Sequence, residues 1–187
     1  MGEHRARTDS AAAAADTQGQ NVPISEEAYK RIGQAAAGAV SIVTAYDRSG
    51  GTVVGLTVSS FTTLSFQPPL VMFAIQHDAR SYPAVVSSKA FGVSLLSVQQ
   101  VEVARRFATR GADKTQNTSF VQGKTLAVPL IAGSLAQIEC LTSQIHISGD
   151  HAIVIGLVEA AHTHQGEPLL YFARTYGSFV PLAATER

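Results

Sequence analysis

Strand-like segments follow one another along this chain without regular β-α-β alternation, and this order is what most constrains the fold. About seven apolar runs rich in β-branched and aromatic residues are separated by turn-forming residues, with two or three helix-like segments among them. Parallel sheets need long crossovers between successive strands. The pattern therefore predicts a mainly β fold with flanking helices, built as an antiparallel barrel with helices at its ends.

The individual elements follow from local signals. Two strand-like runs, Val40–Tyr46 and Thr52–Val58, flank a glycine-rich turn and predict a β-hairpin. Ser25 before two glutamates predicts the start of a helix that ends near residue 37. Residues 98–109 have the apolar spacing of an amphipathic helix. Further strands are expected at residues 70–75, 90–96, 134–147, 152–161 and 169–172, and a short helix at 82–88.

Length and composition bound the class of protein. The 187 residues suit one domain, which we place at residues 23–187 behind a small, polar, alanine-rich tail at residues 1–22 that we expect to be disordered. Lys and Arg together number 14, as do Asp and Glu, so the net charge is zero and no nucleic-acid partner is expected. No run of about 20 apolar residues exists, so no membrane span is expected.

The apolar content points to assembly and the cysteine content to a compartment. Hydrophobic residues make up 45% of the chain and charged residues 15%, against about 25% charged in ordinary domains. Long apolar strands need cover on both faces, which favours a homodimer. The one cysteine, Cys140, excludes an intrachain disulfide and suits the cytoplasm.

Several common catalytic devices are absent from the sequence. No GxGxxG motif follows a strand, and no GxxxxGK[ST] motif exists, so the usual dinucleotide and triphosphate cradles are missing. No GxSxG motif exists, which disfavours a serine hydrolase. The chemistry must therefore come from another kind of site.

The segment from Thr57 to Ser65 is the first candidate site. Six of its nine residues carry a hydroxyl, and the segment lies within the longest stretch without a charged residue, Ser49–His77. Hydroxyls and backbone N–H groups can bind a polar heterocycle edge, a ribityl chain or a phosphate. The alternative is a Ser/Thr-rich strand and turn that satisfies its own backbone.

Motifs along the chain resemble those of the flavin reductase-like family. The first is Gly55–Phe61, followed by Leu64-Ser65 and Pro68–Val71. The later motifs are Phe91–Leu96, Ala104–Ala108, the Gly149-Asp150-His151 turn, Pro168–Phe172 and Arg174–Gly177. Five such motifs occur in order at compatible spacing over about residues 26–178, and their combination is specific although each alone is weak.

The resemblance implies a fold, an activity and partners. The fold would be an FMN-binding split β-barrel that forms a homodimer with flavin near the interface. The activity would be reduction of FMN or FAD by NADH or NADPH, with reduced flavin passing by diffusion to a partner monooxygenase. No catalytic general base and no metal are implied, because the cofactors carry the reaction.

The resemblance also assigns site residues. The isoalloxazine edge and ribityl chain would be held by Thr57, Val58, Ser59, Ser60, Phe61 and Thr62. The ribityl-phosphate or adenylate side would be approached by His77, Arg80, Ser81, Arg106 and Lys114. His151 would contact the nicotinamide nucleotide, and Tyr176 would lie over the same pocket. Two departures from the family pattern, Ala79-Arg80-Ser81 and Lys114-Thr115, fall at the phosphate end and leave FMN versus FAD open.

Alternatives remain for several residues and for the function. His151 is otherwise a turn cap, and Arg106 is otherwise part of the solvated face of its helix. His162 and His164 form an HxH pair, a metal-ligand spacing, but we expect them in a solvated loop. The rival functions are an oxidase or deazaflavin-dependent reductase on the same barrel, and a non-catalytic flavin carrier.

Overall fold

The computed structural model describes residues 23–47, 49 and 51–182, so the tail expected at residues 1–22 lies outside the described residues. The helices described are α1 (Glu26–Ala35), α2 (Tyr82–Ser87) and α3 (Val101–Ala108), with a 3₁₀ turn at Val98–Gln100 leading into α3. The strands are β1 (Gly38–Ala39), β2 (Ser41–Tyr46), β3 (Val53–Val58), β4 (Thr62–Phe66), β5 (Pro69–Gln76), β6 (Ala90–Leu95), β7 (Phe120–Gln122), β8 (Pro129–Ile131), β9 (Ala136–Ser148), β10 (His151–Thr163), β11 (Leu170–Phe172) and β12 (Thr175–Gly177).

Seven of these strands form one antiparallel sheet in the order β3-β2-β6-β9-β10-β5-β4. Smaller sheets of order β1-β11-β12 and β7-β8 lie beside it. The prediction of a mainly β, antiparallel fold with flanking helices is confirmed. The two edge strands of the main sheet, β3 and β4, are consecutive in the chain and are joined by residues 59–61 alone.

The predicted hairpin and the first helix are present where the local signals indicated. Ser41–Tyr46 pairs antiparallel with Val53–Val58 across the glycine-rich turn. At the start of α1 the Ser25 hydroxyl oxygen accepts a hydrogen bond from the backbone N–H of Ala28 at 3.2 Å, as expected for an N-cap. α1 stops at Ala35, three residues before the chain enters β1.

The core lies on both faces of the main sheet. Val43 of β2 belongs to one buried cluster and its neighbour Ile42 to a second, because successive side chains of a strand point to opposite faces. The second cluster includes Phe107 of α3 and Leu169 before β11. The cover expected on the second face is therefore supplied at β2 by the same chain.

Five strands were not predicted, and two loops were assigned wrongly. β1 has only two residues, Gly38 and Ala39. β7, β8 and β12 have three residues each, too few to show a period, and β4 is largely solvent-exposed and lacks apolar alternation. The polar segment 111–123 contains β7. His162 lies in β10 and not in a loop, because β10 runs on to Thr163.

Every helix within the described residues is too short or too polar to cross a membrane. In the same part of the chain, no three His, Cys, Asp or Glu side chains are grouped closely enough to hold a metal ion.

Candidate functional site

The hydroxyl-rich segment spans the end of β3, the three-residue connection and the start of β4. Ser60, in the connection, is bonded to β5: its Oγ accepts from the Ala74 N–H at 3.0 Å and donates to the Ala74 carbonyl at 3.3 Å. The Ser59, Ser60 and Thr62 side chains are exposed, and Phe61 packs partly against the core. The Ser59 and Thr62 side chains are thus on the exposed side of the segment, whereas the Ser60 hydroxyl anchors the connection to β5.

An open cavity of about 210 Å³ lies beside this segment. Its lining comprises Val40, Thr57, Val58, Ser59, Ala108, Tyr171 and Tyr176. The Thr57 hydroxyl does not point free into the cavity, because it donates to the Ala104 carbonyl at 2.7 Å. β3 and α3 are therefore joined at the cavity wall.

Two tyrosines form the aromatic wall of the cavity. The rings of Tyr171 and Tyr176 have centroids 5.1 Å apart, and the Arg105 guanidinium lies over the Tyr176 ring at 5.9 Å. Burial, with a smaller contribution from Tyr171, raises the pKa of the Tyr176 phenol. Tyr176 is therefore neutral at ordinary pH and offers a hydroxyl to the cavity.

The turn before β10 brings His77, Asp150 and His151 together at the end of β5. His151 pairs with Gln76 of β5, and the His77 N–H donates to the Asp150 carbonyl at 3.0 Å. His151 Nδ1 lies 2.6 Å from Asp150 Oδ1. That hydrogen bond is the main reason why the pKa of the Asp150 carboxyl is below its ordinary value. Gly149 occupies the left-handed region at φ +61°, as the tight turn requires.

His77 and Ser81 lie in the loop after β5. Within the described residues the buried Nε2 atom of His77 has no hydrogen-bond partner, and its ring packs edge-on to Tyr82 with centroids 5.1 Å apart. Ser81 is buried, and its carbonyl accepts from the Val85 N–H at the start of α2.

Lys114 is bound to the carboxyl end of α3. Its Nζ donates to the carbonyls of Arg106 at 2.7 Å, Phe107 at 3.2 Å and Thr109 at 2.6 Å. Burial, and next the positive charge of Arg80, lower the pKa of Lys114. Arg106 turns to the following loop, where it donates to Asn117 and Thr118. Lys114 and Nη1 of Arg106 thus have partners within the chain.

Arg110 was missed by sequence reasoning and joins the two loops at this end. It donates to the Asp78 carbonyl at 3.2 Å and forms an ion pair with the Asp78 carboxylate at 3.5 Å. Arg80 lies in the same loop as Asp78 and, among the described residues, has no hydrogen bond or ion pair. An arginine just past a helix gives no sequence signal, since such residues commonly face solvent.

β5 relates the three parts of the site. Ser60 is bonded to Ala74, and His151 pairs with Gln76, two residues or about 7 Å further along the strand. The loop with Arg80 follows immediately. The structure therefore brings the hydroxyl segment, the His151 turn and the Arg80 loop to one end of β5. Arg106 and Lys114 are bonded to α3 and its loop, and Lys114 lies near enough to Arg80 for their charges to interact.

Comparison with known proteins gives the class. Residues 34–179 match the family model described as the flavin reductase like domain, and the chain belongs to this family. The actinorhodin polyketide dimerase of Streptomyces coelicolor is 35% identical over 145 residues, which cover 77% of this chain and 81% of that protein. The reductase component of the 4-hydroxyphenylacetate 3-monooxygenase of Thermus thermophilus is 35% identical over 156 residues, which cover 83% of this chain and 97% of that protein.

Solved structures agree with the family. The NADH:FAD oxidoreductase SgcE6 of Streptomyces globisporus, in complex with NAD and FAD fragments, superposes with a TM-score of 0.78 at 31% identity. The match covers 83% of this chain and 93% of that one. The predicted resemblance to the flavin reductase-like family is confirmed.

Proposed function

We propose that this chain transfers a hydride from NADH or NADPH to N5 of FMN or FAD at the end of β5. The activity is that of an NAD(P)H:flavin oxidoreductase, as membership of the family and the names of the relatives indicate. The observation that carries the location is the meeting of the hydroxyl segment and the His151 turn on two sides of one strand.

The donor set of the site fits a flavin. A flat heterocycle needs an apolar or aromatic wall and hydrogen-bond partners at its edge, and its phosphate needs a cation. The cavity has Tyr176 as its wall and Ser59 and Val58 on its rim, and Arg80 lies beyond the end of β5. When bound, the flavin supplies the two-electron chemistry, accepting the hydride in its ring system.

We assign each polar group one task. The hydroxyls of Ser59 and Thr62, with the main chain of Val58, Ser60 and Phe61, bind the isoalloxazine edge and ribityl chain. Thr57 holds β3 against α3 at the cavity wall through its hydrogen bond to Ala104.

Arg80 binds the phosphate, beside the buried ring of His77 and the turn at Ser81. Arg106 and Lys114 stabilise the loop after α3 at the phosphate end of the site. His151 binds the nicotinamide, and Tyr176 closes the pocket.

Positioning is the main catalytic contribution of the protein. Hydride transfer to flavin requires the donor carbon and the flavin N5 to be stacked, and needs no protein group to remove a proton. A site of hydroxyls, backbone and tyrosines is sufficient for this task. We therefore name no general base.

We further propose that the main sheet closes as a split barrel and that the chain is a homodimer. The sheet edges β3 and β4 are linked by three residues, which keeps them close in space. Large apolar side chains remain exposed on one chain: Phe66 is 98% exposed, Val180 79% and Leu182 94%. A second copy would cover such surface.

The partner and the compartment belong to the same proposal. Several relatives are named as the reductase subunit or reductase component of a monooxygenase. We propose that reduced flavin leaves this chain by diffusion and serves an oxygenase component. A cytoplasmic location suits the nicotinamide substrate and a chain with a single, buried cysteine.

The test is nicotinamide oxidation by the purified protein with each flavin in turn. We expect NADH or NADPH to be consumed only when FMN or FAD is present, with one combination of nucleotide and flavin preferred. Boiled protein is the control for direct transfer in solution. Flavin binding without nucleotide oxidation would make the chain a carrier and refute the proposal.

A further inference from the structure

We propose that Asp150 is a positioning residue that holds the His151 ring as its Nδ1–H tautomer, so that Nε2 accepts a hydrogen bond from the carboxamide NH₂ of the nicotinamide. The inference rests on the proposed function, since it needs a nicotinamide nucleotide beside His151. It adds a reason why the residue before this histidine carries a carboxylate.

The short contact decides which ring nitrogen carries the proton. His151 Nδ1 and Asp150 Oδ1 are 2.6 Å apart. An ionised carboxylate accepts hydrogen bonds and does not donate them. The pKa of Asp150 lies below its ordinary value because of this hydrogen bond, so the carboxylate is ionised. In the neutral ring the proton is therefore on Nδ1, and Nε2 keeps its lone pair.

The backbone around the pair is fixed, which keeps the ring in place. The Asp150 carbonyl accepts the His77 N–H at 3.0 Å. His151 is the first residue of β10 and lies between Gln76 of β5 and Ser148 of β9. The His151 side chain is 39% exposed and that of Asp150 83%. The ring is thus held from its Nδ1 side and remains partly open to a ligand.

The tautomer selects how a nicotinamide is turned. A carboxamide has an NH₂ donor on one side and an oxygen acceptor on the other. A ring with a free Nε2 lone pair binds the NH₂ side, whereas the other tautomer would bind the oxygen. The carboxamide is attached next to the hydride-bearing carbon, so a hydrogen bond that anchors it also positions that carbon, a geometry on which the rate depends.

The first measurement reads the tautomer without any nucleotide. Nitrogen-15 NMR of the histidine side chains, with His151 assigned by its loss in His151→Gln, distinguishes a protonated from an unprotonated ring nitrogen. We expect the neutral His151 ring of the wild type to have an unprotonated Nε2. Asp150→Ala should move the proton to Nε2, and Asp150→Asn should keep it on Nδ1, because the amide oxygen accepts the same hydrogen bond.

The second measurement compares NADH with reduced 3-acetylpyridine adenine dinucleotide, in which a methyl ketone replaces the carboxamide. The ratio of kcat/KM for the two donors cancels any general loss of stability or activity in a variant. We expect this ratio to fall roughly two- to twelvefold in Asp150→Ala, the value of one hydrogen bond. Asp150→Asn should retain the ratio. His146→Ala, which removes a histidine bonded to Gln144 on the same hairpin, is the matched control and should also retain it.

Each outcome bears on a separate statement. An Nε2–H tautomer in the wild type would overturn the inference and leave the proposed function intact. An unchanged donor ratio in Asp150→Ala would also overturn it, even with the expected tautomer, since Nε2 would then not bind the carboxamide. A wild-type protein that oxidises no nucleotide would refute the proposed function and the carboxamide contact together, with the tautomer still known from the NMR measurement.

Discussion

Glu139 is the residue whose burial has the clearest structural consequence. It is 2% exposed on β9, and its carboxylate accepts the backbone N–H groups of Thr125 at 3.1 Å and Leu126 at 2.6 Å. A Cβ at Gly123 would lie 2.4 Å from the same carboxylate. The side chain therefore serves as the acceptor around which the turn at residues 123–126 is built.

Removal of this acceptor should destabilise the protein. Glu139→Ala removes the acceptor of the Thr125 and Leu126 N–H groups, and we expect the free energy of unfolding to fall by about 3 kcal/mol, the value of two hydrogen bonds to a charged group. Glu139→Gln keeps one acceptor oxygen and should cost less. Urea denaturation measures both, and equal stability of Glu139→Ala and the wild type would contradict this role.

Cys140, the next residue, belongs to the same buried cluster as Val43 and should be unreactive. Burial, with a smaller contribution from the Glu139 charge, raises the pKa of its thiol from 9.0 to about 12. At pH 8 we expect no reaction with Ellman's reagent until urea unfolds the chain. Because folding favours the neutral thiol, its contribution to stability is lost as the pH rises from about 9 toward 12. Rapid labelling of the native protein would contradict this burial.

For single residues, the sequence predicted burial better than it predicted hydrogen-bond partners. The core position of Cys140 follows from the apolar residues around it, and the structure confirms it. The partners of Lys114 and Arg110 do not follow from sequence: Lys114 donates to carbonyls at the end of α3, and Arg110 contacts Asp78 in the loop after β5, 32 residues away.

The contact between β3 and α3 is the element-scale feature that builds the cavity wall. Gly55 permits it: an added Cβ would lie 2.4 Å from the Val43 carbonyl and 2.8 Å from the Phe107 ring. Any side chain there pushes α3 away from the strand or strains the ladder with β2. The cavity depends on this spacing, since Ala108 and Thr57 both line it.

Gly55→Ala should therefore cost much more than an ordinary glycine substitution. We expect a loss of about 2 kcal/mol in the free energy of unfolding, as for overpacking of a core, together with weaker flavin binding. Gly51→Ala is the matched control, because nothing lies within 4 Å of its added Cβ. Equal effects of the two substitutions in urea denaturation would show that the close approach is not important.

Long elements were predictable and short ones were not. The hairpin of β2 and β3 and the helix at residues 101–108 were predicted because apolar periodicity extends over six or more residues. β4 carries hydroxyls of the candidate segment and is exposed along most of its length, so its sequence lacks the alternation of a half-buried strand. The composition that predicts a candidate site at residues 57–65 therefore gives no periodic signal for its strand.

At the scale of the whole molecule, the exposed apolar surface should be covered by a second copy. Light scattering of the purified chain should give about twice the 19.7 kDa mass of one chain. Phe66, 98% exposed at the end of β4, is a suitable residue for testing whether this surface forms the interface. Phe66→Glu should shift the protein toward monomer at low concentration if this surface is in the interface. A monomeric wild type that reduces flavin at full rate would contradict the dimer proposal.

The order of the elements was sufficient to predict the antiparallel architecture, because no β-α-β alternation exists to build a parallel sheet. The order of strands within the sheet was not predictable. β5 lies between β4 and β10, a pairing set by contacts of residues some 80 positions apart such as Ala74 and Ile153. The meeting of Ser60 and His151 on β5 is a consequence of that pairing and had no local signal.

The most direct test of the site is anaerobic stopped-flow reduction of flavin by NADH in the wild type, His151→Ala and Ser60→Leu. We expect His151→Ala to need more NADH or to reduce flavin more slowly, by about five- to 150-fold, with flavin affinity little changed. Ser60→Leu should chiefly weaken flavin binding, with Ser60→Ala as the control for loss of the hydroxyl alone. If His151→Ala reduces flavin at the wild-type rate and saturates at the same NADH concentration, the nicotinamide does not bind at this turn and the account is wrong.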